Sequence, residues 1–496
     1  MPVPGDTVNA VYLKDWYVNA NDGHGLDSNR GDTPGAAKKT LAEAMKNVVA
    51  GDVVHAAEGV YGEGSMKHAV SVSTKSGQEP KPITIPSRVI VPAGVSLVAD
   101  GDRDSTVILG GSDPSTANDE VMRGCGPNAV RCVMMETNTV LRGFTLRGGR
   151  TGYENIEDDD FHGGGILSQT ASTDPKIMSL VENCTIDDCM SYRGGGSFNG
   201  YYRNCRFTGN RAVVNGAASR QGSYMGCYFS GNMGLHTVTY PGELSHCTFG
   251  PGNVVSGNDP AFAIGPTTHR MSINGTLFTG GFIGENTRVF TLSNCAYRAD
   301  AKLGSNITVT DCVTASPEEL AQLDENGVPL PGKNPACDRG VLSQWTDAGL
   351  DASRDAAGNP RVANGTMDIG CYEADWKGVY SATVGKRGSV TFTEAEPYAI
   401  KGDSAEVYLP KGVLSGTLNA TGTGRYEFPV RITGGGKLVV TAGSSKTEYA
   451  SSGVLALNLQ AGEYPLSFEY IPCDNDEGGA FVCSGGRIFG TSIVIR

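Results

Sequence analysis

Short apolar strings separated by Gly and Asn recur along the middle of the chain at a nearly constant interval. VENCTI, YRNCRF, YMGCYF, LSHCTF, INGTLF, LSNCAY and VTDCVT place Cys184, Cys205, Cys227, Cys247, Thr276, Cys295 and Cys312 at equivalent points, 17–22 residues apart except for one insertion between Cys247 and Thr276. Each string is β-branched or aromatic and is followed by turn residues, which predicts a strand and a turn. A period near 20 without a Leu framework excludes leucine-rich repeats and is too short for helical repeats. It fits one coil of a parallel β-helix, whose short strands stack about 4.8 Å from those of the next coil. A second string, GGGIL at 163–167, GGGSF at 194–198 and NGAAS at 215–219, precedes the Cys strand and marks a tight corner. Asn210 and Asn232 end successive strands at the same point, which predicts amides hydrogen-bonded up a column. The cysteines predict a buried column of reduced thiols. In register their Cβ atoms stay about 4.8 Å apart, whereas a disulfide wants about 3.8 Å.

Upstream, residues 17–64 read as a strand, a polar Gly/Asn/Asp loop, a short helix with Leu41, Ala44, Met45 and Val48 on one face, and a second strand. Beyond 378 the pattern changes to period-2 alternation in SVTFTEA, RYEFPVRI, KLVVTAG and YPLSFEYI, which reads as a β-sandwich. The chain then divides into a first strand and capping helix over 1–65, β-helix coils over 66–317, a closing segment over 318–377 and a β-sandwich over 378–496. The expected fold class is all-β: a right-handed single-stranded parallel β-helix with an N-terminal helical cap, followed by a C-terminal antiparallel β-sandwich.

The layout of 17–64, with GVSLVADGDRDSTVILGG at 94–111 and NTVLRGFTLRGG at 138–149, resembles secreted right-handed parallel β-helix proteins of the pectate-lyase-like class. The NC(T/R)F and GGG repeats resemble the polymorphic outer-membrane-protein type of bacterial β-helix. Residues 359–373, NPRVANGTMDIGCYE, resemble the closing segment of choice-of-anchor Q surface proteins, except that a small residue is usual where Cys371 stands. That departure, with Cys337 nearby, implies a possible Cys337–Cys371 pair. Cys125 with Cys132, and Cys473 with Cys483, each flank a short loop and are further disulfide candidates in an oxidising compartment. The resemblance implies an extracellular or cell-surface setting with a signal segment already removed, and it leaves activity open, because this superfold hosts many chemistries.

Composition narrows the partners. The formal net charge is −13 and Gly is 69 of 496 residues. An acidic balance argues against a nucleic-acid partner, and no apolar run is long enough to cross a membrane as a helix. No metalloprotease, P-loop or nucleophile-elbow motif is present. The acidic run of 153–162 carries Glu157, Asp158, Asp159 and Asp160, candidate oxygen ligands for Ca²⁺ or a glycosidase carboxylate pair; no other cofactor is expected. Asp187 and Asp188 form a second carboxylate pair at a coil turn.

If the Gly-rich strands stack, the positions just after them gather Gln169, Asn199, Arg220 and Tyr240, with Arg193 and His236 alongside, into a candidate saccharide face. There Arg220 would neutralise a uronate and His236 or Tyr240 would abstract its C5 proton. Three functions are expected: engagement of polysaccharide or another extracellular surface; a polysaccharide lyase or glycoside hydrolase acting in a groove along the β-helix; or a structural filament or matrix component. Oligomeric state stays open.

Overall fold

The structure, a computed structural model, describes residues 13–72, 81–121, 123–152, 161–169, 179–255, 262–265, 267, 270–281, 288–301, 303, 307–330, 333–362 and 367–374. Beyond these it describes 380–384, 388–395, 399–401, 406–409, 412–420, 424–433, 437–450, 453–471, 480–484, 487–488 and 491–492. Two compact units result, one of Met1–Ala321 with Asp347–Leu350, the other of Gln322–Thr346 with Asp351–Arg496.

The first unit is the parallel β-helix. Its first sheet has 11 strands, from Asp15–Val18 to Thr308–Thr310; its second has 10, from Gly59–Tyr61 to Val313–Ala315; its third has 8, ending at Phe262–Ile264. Pairing is parallel and in register from coil to coil, as in Val181 opposite Tyr202 and Tyr202 opposite Tyr224. The exception is an antiparallel hairpin, Met66–Val72 with Lys81–Val91, on the third sheet. The second unit carries two antiparallel sheets of 6 and 7 strands within 380–492, the expected sandwich.

The inward face explains the aromatic strings. Phe207, Phe229, Phe249 and Phe278 stack at centroid spacings of 5.1, 4.7 and 5.2 Å, the coil spacing itself. Burying each contributes about 1.5–3 kcal/mol. Tyr202 and Tyr224 stack at 5.4 Å, and the Tyr202 hydroxyl donates to the Asn199 carbonyl at 2.6 Å, so neither ring buries a hydroxyl without a partner.

The cysteines stand at the corner between the first and second sheets, one residue ahead of the second-sheet strand. The residue before each turns through the left-handed region: Asn183, Asn204, Gly226, His246, Gly275, Asn294 and Asp311, with φ between 50° and 62°. Gly, Asn and Asp tolerate this conformation best. His246 is the exception, and its ring is admitted by Gly275, where a Cβ would lie 2.3 Å from His246 Cδ2. Each thiol then has two carbonyls within hydrogen-bond distance to share its one proton, one in the preceding coil and one two residues back. For Cys205 these are Val181 and Arg203, at 3.4 and 3.3 Å; for Cys227, Tyr202 and Met225, both at 3.5 Å. Thr276 keeps the pattern with a hydroxyl, which donates to the Asn274 carbonyl at 3.0 Å. The column is thus made of free thiols, buried from Cys184 to Cys295 and half-buried at Cys312. At Cys312 the hydrogen bonds with Cys295 bring the thiol down to about 7.

The corner between the second and third sheets repeats this chemistry with amides. Asn210 Nδ2 donates to the Ile186 carbonyl at 2.8 Å and to Asn232 Oδ1 at 3.1 Å; Asn232 Nδ2 donates to the Phe207 carbonyl and to Asn253 Oδ1, both at 2.9 Å. Cys189 heads the ladder, its amide donating to Asn210 Oδ1 at 3.0 Å. The Gly-rich strings run beside a strip formed by Met190–Arg193 and Arg211–Asn215. A Cβ on Gly195 would lie 2.0 Å from the Arg211 carbonyl oxygen, so close backbone approach demands glycine there.

At the N-terminus, helix Leu41–Ala44 buries Leu41 and Ala44 and is capped by the Thr40 side chain. The outer edge of strand Asp15–Val18 is sealed by the following loop, through Tyr17 N to the Gly31 carbonyl and Lys38 N to the Tyr17 carbonyl. This answers the hazard of an open edge.

Two disulfide expectations are corrected. Cys125 and Cys132 are reduced thiols that form no disulfide, and so are Cys337 and Cys371. Flanking a turn did not make Cys125 and Cys132 partners: Cys125 Sγ donates to the Met190 carbonyl and Cys132 Sγ to the Arg147 carbonyl. Cys473 and the side chain of Cys483 lie outside the described residues.

In the second unit, residues 338–346, 351–362 and 367–374 close around Arg361, which is fully buried. Its guanidinium pairs with Glu373 at 3.1 Å, donates to the Asp368 and Gly370 carbonyls, and lies 4.0 Å from the Trp345 ring centroid. Asp355 and Asp368 join as buried acceptors of backbone amides. Burial pushes Asp368 up to about 6 and also raises Asp355.

Two outcomes follow from these ladders. Cys227→Asp buries an unpaired carboxylate and should cost about 3 kcal/mol or more, whereas Cys227→Thr, which repeats the chemistry of Thr276, should cost about 1 kcal/mol; urea denaturation of the full chain distinguishes them. Asp368, raised in the folded state, adds stability that is complete at low pH and lost as pH rises through its folded value. Corrected exchange protection of the Ile369 amide should therefore increase from about pH 7 to about pH 5, and Asp368→Asn should reduce that slope. Protection that falls with acidification would reverse the reading.

Candidate functional site

The outward face of the third sheet carries the site. Register places Met134, Leu167, Phe198, Arg220 and Thr239 in one outward column. The column begins apolar, with Met134, Leu167 and Phe198 forming a buried cluster of their own. It turns polar at Arg220, whose guanidinium carbon lies 5.8 Å from the Phe198 ring centroid and 5.4 Å from that of Tyr240. The cation thus sits between two ring faces, one on the preceding coil and one on the next.

The row that follows Leu167, Phe198, Arg220 and Thr239 is Ser168, Asn199, Gln221 and Tyr240, with Gln169 one residue beyond it. Asn199 N donates to the Arg220 carbonyl and Gln221 N to the Thr239 carbonyl, so Arg220 stands one residue earlier, inside its strand. Asn199, Gln221 and Tyr240 have φ of 57°, 60° and 51°, an uncommon conformation for Gln and Tyr. Asn199 is buried and its Nδ2 donates to the Ser168 carbonyl at 3.1 Å. Gln169 is exposed, with its amide nitrogen 3.4 Å from His68 Nε2. Arg193 belongs to the corner strip and has its guanidinium carbon 5.4 Å from the Tyr192 ring centroid.

His236 opens the strand His236–Thr239 and is 8% exposed. Gly265 makes room for it: a Cβ there would lie 2.5 Å from His236 Cγ and 2.6 Å from Thr239 Cγ2. Imidazole and Thr239 therefore flank one space, while Arg220 and Thr239 share a row. Burial lowers the His236 pKa, which keeps the ring neutral at neutral pH. The Thr239 hydroxyl is buried and has no hydrogen-bond partner among the described residues.

Structure therefore sets Arg220 beside Tyr240 and Phe198, and His236 near Thr239, which pairs with Arg220; Phe198 and Thr239 are the two that sequence reasoning passed over. Phe198 was legible as the aromatic of GGGSF; Thr239 required the strand register. Glu157, Asp158, Asp159 and Asp160 lie outside the described residues, and among the described residues no group of three His, Cys, Asp or Glu side chains is placed to hold a metal ion. Asp187 and Asp188 pair with Arg147 and Arg150 on the neighbouring coil, at 2.9 and 3.2 Å, and brace the stack.

A guanidinium flanked by rings is a cation held in one orientation, and the half-buried Tyr240 ring beside it is an apolar face for a sugar. A neutral imidazole alongside is in the protonation state of a base.

No family model matches this chain, and no curated protein matches it. Solved structures with which it aligns include a rhamnogalacturonan lyase, at 16% identity over 61% of this chain and 74% of that one with a TM-score of 0.33. Pectate lyase Pel9A aligns at 12% identity over 74% and 98% with a TM-score of 0.32. A secreted serine protease, VesC from Vibrio cholerae, aligns at 15% identity over 21% of this chain with a TM-score of 0.18, and the match spans only 25% of that protein. The chain is similar to these proteins, and its own three parallel ladders and antiparallel C-terminal sheets make it a parallel β-helix followed by a β-sandwich.

Proposed function

We propose that the protein engages an acidic polysaccharide at an extracellular or cell-surface location, through the third-sheet face around Arg220. The observation that carries this reading is the placement of the Arg220 guanidinium between the Phe198 and Tyr240 rings. With a chain charge of −13, a polyanion is repelled at long range and needs a local cation held in position. Coils repeat at about 4.8 Å, so side chains two coils apart bracket one sugar ring. A uronate carboxylate fits the guanidinium edge, and its ring lies against Tyr240.

His236 favours a second reading, as a polysaccharide lyase. Arg220 would neutralise the uronate carboxylate, His236 would accept the C5 proton, and the bond from C4 to the leaving oxygen would break to give an unsaturated sugar. Tyr240 is the alternative base at this position.

Titration of the full chain with polygalacturonate and with a neutral galactan tests both. Arg220→Ala should weaken uronate binding by about 1–3 kcal/mol and leave the neutral glycan unaffected. If the protein is a lyase, wild type should release product absorbing in the ultraviolet, and His236→Gln or Tyr240→Phe should abolish release while binding stays near normal. Should wild type neither bind nor cleave any acidic glycan, the filament or matrix role becomes the better account.

A further inference from the structure

The Asn ladder stops, and the place where it stops is hollow. Strand ends run Phe207-Thr-Gly-Asn210 and Phe229-Ser-Gly-Asn232, then reach Asn253 from Phe249 with one extra residue. In the next coil Phe278, paired with Phe249, is followed by Thr279, Gly280 and Gly281. Gly281 takes the place of the next amide. Below it, Asn253 Nδ2 is committed to the Phe229 and Gly250 carbonyls, at 3.0 and 2.9 Å, and its Oδ1 accepts from Asn232.

The missing rung leaves a cavity of about 160 Å³, lined by Phe249, Ala263, Val254 and Thr237 and by the backbone of glycines on both coils. Phe249 and Ala263 are each 2% exposed, and Thr237 is fully buried. The Thr237 hydroxyl has no hydrogen-bond partner among the described residues. Among the described lining residues none is ionisable, which selects against a charged ligand. An apolar cavity of about 150 Å³ is large enough for benzene. A buried hydroxyl left unpaired is costly, and a ligand's polar group would relieve it.

We propose that this corner cavity is a binding site for a neutral, ring-sized ligand bearing one hydrogen-bonding group, the chemistry of a phenol. Its ring would lie against Phe249 and Ala263 and its hydroxyl would pair with Thr237. The site is separate from the Arg220 face and does not depend on the reading given for it.

The test is calorimetric titration of the full chain with phenol and with benzene. Wild type should bind phenol saturably. Thr237→Val, nearly isosteric, should raise the phenol dissociation constant about tenfold and leave that of benzene within about twofold. Ala263→Leu should abolish both; if that variant fails to fold, Gly281→Asn, which supplies the absent rung, serves in its place. The proposal is overturned if phenol shows no saturable binding up to its solubility, if the filled variants bind it like wild type, or if Thr237→Val weakens both ligands equally or neither. A crystal structure in phenol that shows an ordered water only at Thr237 would overturn it as well.

Discussion

A β-helix coil must turn between its sheets, and each turn strands carbonyl oxygens that the strand ladders do not reach. Buried carbonyls without partners are costly, so the stack depends on whatever returns to them. Here it is the side chain just after the left-handed residue: a thiol or hydroxyl at the first corner, an amide at the second. A thiol has one donor and little bulk, so its proton is shared between two nearby carbonyls in a column that repeats every coil. An amide has two donors and an acceptor, so Asn210, Asn232 and Asn253 also bind one another. The aromatic stacks bury large rings in the core and set the register by their alternation. The polar corners reinforce it, because one slipped residue would aim every thiol and amide outward as well.

This explains how much was legible. Cys at coil-length spacing after Asn, Gly or Asp encodes both the turn and the return bond, so sequence alone yields the ladder, its reduced state and the first two sheets. Thr276 breaks the identity of the column and preserves its chemistry. The third sheet was harder. Its strands shrink to two residues, as in Ser197–Phe198 and Ser219–Arg220, too short for alternation to set a face. Arg220 consequently read as the residue after the strand, whereas its register partner is Phe198. Cys125 and Cys132 show the opposite failure, where loop length implied a pair that the carbonyl partners of each thiol replace.

Charge is distributed unevenly over the outer faces. On the first sheet Glu182 joins Arg142 and Arg203 from the coils on either side, at 2.7 and 3.2 Å. On the second, Arg147 meets Asp187. Such cross-coil pairs are worth little individually at the surface, but they tie arginine to the stack and leave it poorly disposed to recognise a ligand. Arg220 lies between the Phe198 and Tyr240 rings of the adjacent coils, and stacking on rings orients a guanidinium. The same residue type therefore does different work on different faces, and the difference comes from what the adjacent coil places beside it.

Departures from the repeat occur where regularity would prevent function. A perfect corner consumes its polar side chains in holding the next coil, and a perfect column presents one residue type along its length. At Phe198, Arg220 and Thr239 the outward column changes character from coil to coil, and Gly265 removes the side chain that would crowd His236. A repeat protein gains stability additively from neighbouring units, so it can lose a rung or a column member without losing the fold. That tolerance is what allows a site to be cut into an otherwise uniform stack, and the coils between 194 and 281 are where this chain uses it.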